Sequence, residues 1–191
     1  MKLRTLGLAL ALGAAATAAA GTVQGWLARN GTLAVKDGAL VTTGRIHGLA
    51  YTTRRFKNFT LRLEQRVMKP WDDLDELIQD QTGIMIFLNA RPDQPYRTWS
   101  NYVEIEGKYH EISRISLPNA TLDEEARQRV IKPVNQWQQM QIVVQGRSIK
   151  SYLNRALVST AELPDDLPPG FVGVQSQGGP VEWRNIRIRE E

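Results

Sequence analysis

Two acids separated by a single residue, Glu104 and Glu106, stand in the stretch from Tyr102 to Glu106, YVEIE. In an extended chain successive side chains point to opposite faces. Val103 and Ile105 therefore share one face, and Tyr102, Glu104 and Glu106 share the other. A carboxyl held on a sheet is a candidate general acid or base. As a pair, however, these two are a poor match to ordinary glycoside hydrolysis. On one strand they sit roughly 6.5–7 Å apart at the backbone and point the same way, so they do not straddle a bond. They either line a polar groove or face water.

Other residues have side chains suited to the same kind of site. Gln175 and Gln177 in Phe171 to Gln177 (FVGVQSQ) repeat the i, i+2 spacing and project together. Tyr96 and Trp99, in the Pro-containing loop 89–100, are amphipathic rings that either stack on a sugar or seal the rim of a sheet. Only two His are present. His47 reads as a turn residue; His110, just after the Glu strand, either reaches a groove or is a lone surface His. No Ser-His-Asp arrangement is visible. The acidic segment 68–82 (MKPWDDLDELIQDQT) offers oxygen ligands for a hard cation. It lacks the Gly and distal Glu of an EF-hand loop, and a solvated surface excursion is the favoured reading. No metal is assigned, and the cofactor is left open.

Strands must position these residues. In the stretch 132–154, Met140, Ile142 and Val144 alternate with Gln141, Val143 and Gln145, a period of two. A turn at Gln145-Gly146-Arg147 leads into a second strand with Ile149, Ser151 and Leu153 on one side. Phe59, Leu61, Leu63 and Gln65 alternate with Thr60, Arg62, Glu64 and Arg66, one face for a core and one for water. Lys36-Asp37-Gly38 marks a hairpin between two short strands. Leu49 to Thr53 and Glu111 to Leu117 read as strands, and Gly83 to Leu88 as a central strand covered on both faces. The segments 171–177 and 181–189 read as a final strand pair. In the second of these, Val181 and Trp183 oppose Ile186 and Ile188 by strict alternation. All four want burial, which predicts a β-bulge near Arg184-Asn185. Thr121 to Ile131 is the one good helix, with a Thr121–Glu124 capping box and a stop at Pro133; a second short helix fits after Pro70. The fold class is all-β, two antiparallel sheets face to face with one or two short helices.

Composition sets the compartment. Lys2 and Arg4 precede an apolar run from Leu6 to Ala16, too short to span a bilayer, which needs about 20 residues, and Ala18-x-Ala20 offers a cleavage site. Residues 1–20 are expected to be a signal peptide and 21–191 a single periplasmic or secreted domain, with no membrane association after cleavage. With 24 Lys and Arg against 20 Asp and Glu the chain carries +4. Without Lys2 and Arg4 the balance is 22 to 20, or +2. The basic residues are scattered rather than striped, which argues against a nucleic-acid partner. There is no Cys, hence no disulfide framework.

Five segments, LAYTTRRFKNFTLRLEQRV, TGIMIF, YVEIE, KPVNQWQQMQIVVQGRSIKSYLN and GFVGVQSQGGPVEWRNIRI, stand in an order that resembles the 3-keto-disaccharide hydrolase family, also described as 3-keto-glucoside lyase/hydratase. The resemblance runs from about Trp26 to Arg189. It implies a concanavalin-like (LamG-like) jelly-roll sandwich and a saccharide or keto-sugar ligand. The implied chemistry begins at a sugar C3 ketone that acidifies the C2 proton; a base removes it, the C1 substituent leaves, and water adds to the enone. Glu104 matches the family's strand glutamate and is implied as the base or a polar clamp. Tyr102, Glu106, Gln175, Gln177, Trp99 and His110 are then expected around the substrate. Three positions depart from the family pattern. Phe87 and Leu88 stand at the strand end where an Arg is common, Gln177 where His is common, and Arg155 where Gly is common. Three functions follow for comparison: an enzyme acting on 3-keto-glycosides, a non-catalytic glycan-binding module, and a structural exported domain.

Overall fold

The computed structural model describes residues 22–23, 26–29, 33–42, 48–68, 81–89, 103–177 and 181–191. His47, the acidic residues 69–80, and Tyr96, Trp99 and Tyr102 lie outside the described residues. The strands in chain order are β1 (Thr22–Val23), β2 (Trp26–Arg29), β3 (Leu33–Lys36), β4 (Ala39–Thr42), β5 (Gly48–Thr52), β6 (Phe59–Val67), β7 (Gln81–Leu88) and β8 (Val103–Glu106). They continue with β9 (Thr121–Leu122), β10 (Gln138–Gln145), β11 (Ser148–Leu153), β12 (Ala156–Glu162), β13 (Phe171–Gln177) and β14 (Val181–Glu190). A single α-helix among the described residues, α1 (Glu124–Val130), separates β9 from β10.

Two sheets result: six strands in the order β1-β2-β5-β13-β7-β8, and eight in the order β3-β4-β14-β6-β10-β11-β12-β9. All the pairings are antiparallel. The alternation seen in the sequence sets the core. Phe59, Leu61 and Leu63 of β6 and Met140, Ile142 and Val144 of β10 are buried, as are Ile84, Ile86, Val103, Ile105, Val172 and Val174 of the six-stranded sheet. These form one apolar cluster. Removing that much apolar surface from water is what holds the sheets together. One polar link runs through this layer. Trp183 Nε1 donates to Gln65 Oε1 at 2.9 Å and Gln65 Nε2 donates to the Gly107 carbonyl at 2.6 Å, tying β14 and β6 of one sheet to the end of β8 in the other.

The β14 bulge is present. The β14–β6 register shifts between Arg184 and Arg187, Asn185 has φ 53°, and Val181, Trp183, Ile186 and Ile188 are all buried. Several expectations are corrected. β13 and β14 do not pair; they belong to different sheets, because the apolar faces of both must meet across the core. Glu111 to Leu117 is not a strand. Tyr109–Glu111 forms a 3-10 turn, and the chain then touches β8 through a single bridge, Ile105 to Ile115. The helix starts later than its capping box suggested. Thr121 is in β9, pairing with Thr160, and Asp123 Oδ1 accepts from the Ala126 N–H at 2.8 Å as the cap. An Asp carboxylate does this as well as Thr. β12 was not anticipated.

Candidate functional site on the outer face of the six-stranded sheet

The inward residues of β7, β8 and β13 fix what points outward. With Val103 and Ile105 in the core, Glu104 and Glu106 take the outer face. Glu104 is opposite Met85, and Glu106 is opposite Gly83. On the other side of β7, Gln175 is opposite Gly83 and also opposite Leu49 of β5. Glu104, Glu106 and Gln175 thus share one face, and the position between the latter two is a glycine. Glu104 uses that space. A Cβ built on Gly83 would lie 2.4 Å from Glu104 Oε1 and 2.8 Å from Glu104 Cγ. The carboxyl of Glu104 therefore lies across β7, one strand spacing of about 4.8 Å from the β13 backbone that carries Gln175.

The surroundings are not watery, contrary to one of the two readings of the acid pair. Leu49, Tyr51, Met85 and Leu88 make a second buried apolar cluster on this face, flanked by Phe171. Glu106 is 8% exposed and Gln175 1%. Glu104 Oε1 is buried with no hydrogen-bond partner among the described residues. Burial, with the neighbouring Glu106 charge adding to it, pushes the Glu104 carboxyl up from 4.5 to about 7; Lys108 opposes the rise and Glu111 adds to it. This is the pattern of desolvation plus like charge that suits a carboxyl to proton transfer near neutral pH.

Glu106 is held instead of freed. Ser116 Oγ donates to Glu106 Oε1 at 2.5 Å, and Lys108 Nζ stands 3.7 Å from Glu106 Oε2. The strip 113–116 clamps the edge of β8 through Ser113 N–H to the Glu106 carbonyl and Ser116 N–H to the Glu104 carbonyl, at 2.8 and 2.9 Å. Lys108 also meets Glu111 at 3.2 Å, and Glu111 takes Arg114 at 2.5 Å. Burial works against the Lys108 charge, but Glu106, Glu111 and Glu104 outweigh it and raise its pKa. The two carboxyls are therefore unlike: one half-buried over a glycine with its Oε1 enclosed, the other buried, holding a hydroxyl and facing an ammonium at 3.7 Å.

Of the predicted site residues, Glu104, Glu106 and Gln175 are brought together. Gln177 is in β13, two residues beyond Gln175, with Gln81 as its register partner. His110 does not join them on a strand; it is exposed on the 3-10 turn, with its ring edge-on to Tyr109 at 5.4 Å. Trp99 and Tyr102 lie outside the described residues. Sequence reasoning missed Gly83, Lys108 and Ser116. An isolated Gly inside an apolar strand signals a close approach, and that signal would have found Gly83. Among the described residues no cluster of His, Cys, Asp and Glu is arranged for a metal ion.

Comparison with solved structures places the fold. The chain is similar to a predicted glycosyl hydrolase from Parabacteroides distasonis ATCC 8503, at 21% identity and TM-score 0.58 over 86% of this chain and 93% of that one. It is similar to the carbohydrate binding module CBM66 from Bacillus subtilis, at 14% identity and TM-score 0.60 over 87% and 96%. A beta-glucanase from Bacillus licheniformis aligns at 13% identity and TM-score 0.55 over 85% and 84%. These likenesses establish the jelly-roll sandwich. No curated protein matches the sequence. The profile of the 3-keto-alpha-glucoside-1,2-lyase-like domain matches residues 18–189, and the chain belongs to that family.

Proposed function

We propose that this protein acts on a saccharide as a 3-keto-glycoside lyase and hydratase, with Glu104 as the base. The observation that carries the reading is the Glu104 carboxyl lying over Gly83 beside Gln175, desolvated and raised to about 7. A base poised near the working pH is most effective. The ketone at C3 makes the C2–H acidic, so no activated nucleophile is required. Glu104 takes the C2 proton, the electron pair forms the C1–C2 double bond, and the C1–O bond breaks. The leaving oxygen departs as an alcohol with a proton from solvent. Water then adds at C1 and a proton returns to C2. Gln175 supplies amide donors and acceptors for the sugar hydroxyls, and Gln177 is assigned the same role from the family resemblance. The family membership and the carbohydrate-related solved structures support this reading.

A binding-only role is the second reading, favoured by the CBM66 likeness, which covers 96% of that module. Purified protein with 3-keto-trehalose separates the two. Turnover that is lost in Glu104→Gln supports the enzyme, and binding without turnover supports the module. If there is neither, both sugar readings fail.

The same proposal places the mature domain outside the cytoplasm, on the strength of Lys2, Arg4, the apolar run to Ala16 and the Ala18-x-Ala20 site. Mass measurement of the exported protein should give an N-terminus at Gly21; an intact Met1 in the exported fraction would refute cleavage.

A further inference from the structure

The turn leading into β6 carries three cations, and two are neutralised. Arg54 pairs with Glu190 at 2.7 Å and Lys57 with Asp166 at 2.9 Å. Arg55 has no carboxylate within ion-pair distance among the described residues. Its guanidinium lies 4.6 Å from the centroid of the Phe171 ring, and that ring is braced edge-on by Tyr51 at 5.6 Å. A stacked guanidinium is fixed in orientation while its N–H edge stays available to acceptors. Arg55 lines a cavity of about 110 Å³ with Asn89, Phe87 and the Pro168-Pro169 corner. Whole-ligand sites usually exceed about 300 Å³, so this one suits a single substituent. Its wall is rigid and strained. Phe87 has φ 58°, and a Cβ on Gly170 would meet the Phe87 backbone at 2.4 Å. Left-handed backbone at an aromatic residue persists only where its surroundings enforce it, and such strain gathers at binding sites.

We propose that the Arg55–Asn89 cavity is an anion subsite that takes the carboxylate or sulfate substituent of an acidic oligosaccharide. The inference rests on the saccharide reading and deepens it by naming the substrate class. A planar guanidinium with an amide beside it matches both anions. Phe171 is opposite Leu88 on the strand whose Gly83 lies under Glu104. Five residues of extended chain separate the two ends of the site, roughly 16–17 Å along the strand. A monosaccharide does not bridge that distance, so the acidic group belongs to a sugar remote from the reacting one.

The test is calorimetric titration of the wild type and Arg55→Met with matched oligosaccharides that are neutral, uronate-bearing or sulfate-bearing. The wild type should prefer one acidic series over the neutral one by roughly tenfold, less so as salt is raised. The acidic series that shows the preference identifies the anion. Arg55→Met should abolish the preference and leave neutral binding unchanged. Arg55→Lys, which keeps the charge but loses the fork, should recover only part of it. Equal wild-type binding of neutral and acidic series overturns the subsite while the saccharide reading stands, and so does a preference that survives Arg55→Met. Failure of every series to bind overturns both.

Discussion

Glu104 lies across Gly83, so a methyl group at that glycine would come within 2.4 Å of Glu104 Oε1. Glycine here has a packing purpose: it opens a lane across β7 that lets a β8 side chain reach toward β13. The crowding falls on a side chain and not on backbone. Gly83→Ala should therefore fold, with a stability loss of about 1 kcal/mol from the displaced rotamer, yet lose most of its activity on a 3-keto-glycoside. Thermal melts and turnover on the same preparation check this. Unchanged turnover would mean that the position of Glu104 over β7 is irrelevant to function.

The raised Glu104 carboxyl has a sign that can be measured. Its folded value, about 7, lies above the unfolded value near 4.5, so the folded state holds the proton more tightly. Stability from this group is greatest below about pH 4.5 and is lost as the pH rises to about 7, with a ceiling of about 3 kcal/mol. Glu104→Gln should flatten that part of the stability-versus-pH curve. Activity should move the opposite way, rising with pH as the base loses its proton. Lys108 lowers the Glu104 value, so Lys108→Met should shift the activity midpoint upward. Denaturation and rate profiles between pH 4 and 8 test both signs, and a downward shift in Lys108→Met would refute the assignment.

Gln65 is fully buried and serves two partners, Trp183 and Gly107. Gln65→Leu preserves volume but strands an indole N–H and a carbonyl, each costing about 1–3 kcal/mol. A loss of about 2–4 kcal/mol in denaturant unfolding is expected, and a loss below about 0.5 kcal/mol would show that the link contributes little.

Arg155 turns the β11–β12 corner at φ 78°, after Asn154 at φ 47°. Glycine takes that conformation without the Cβ penalty. Arg155→Gly should stabilise the protein by about 0.5–1 kcal/mol, raising Tm by roughly 1–4 °C. An unchanged or lower Tm would show that the corner is unstrained.

What could be read from the sequence is what depends on local period. β6, β10 and β11 announce themselves by alternation, and the β14 bulge by the conflict between Trp183 and Ile186, which both need the core. β12 hides because Val158 and Ser159 are neighbours and both are buried, at a place where its pairing with β11 shifts register. That irregularity breaks the alternation that reveals a strand. The segment 111–117 looks extended but makes only one bridge, because the 3-10 turn at Tyr109–Glu111 and Ser113 at φ 70° keep the chain from running straight beside β8. In the site, the shared face of Glu104 and Glu106 follows from period two alone. That Gln175 comes to the far side of Gly83, and that Glu104 is desolvated, depend on strand order, which no local pattern encodes. The same holds for β13 and β14, adjacent in sequence and assigned to opposite sheets.

The account turns on Glu104 removing a proton from C2 of a 3-keto sugar. Incubating the protein with a 3-keto-glucoside in D₂O and following the C2–H signal by NMR tests that step apart from cleavage. Wild type should wash deuterium into C2 of substrate or product, while Glu104→Gln, folded by circular dichroism, should leave C2 protonated at the uncatalysed rate. Exchange by the variant at the wild-type rate, or none by the wild type, would contradict the base assignment.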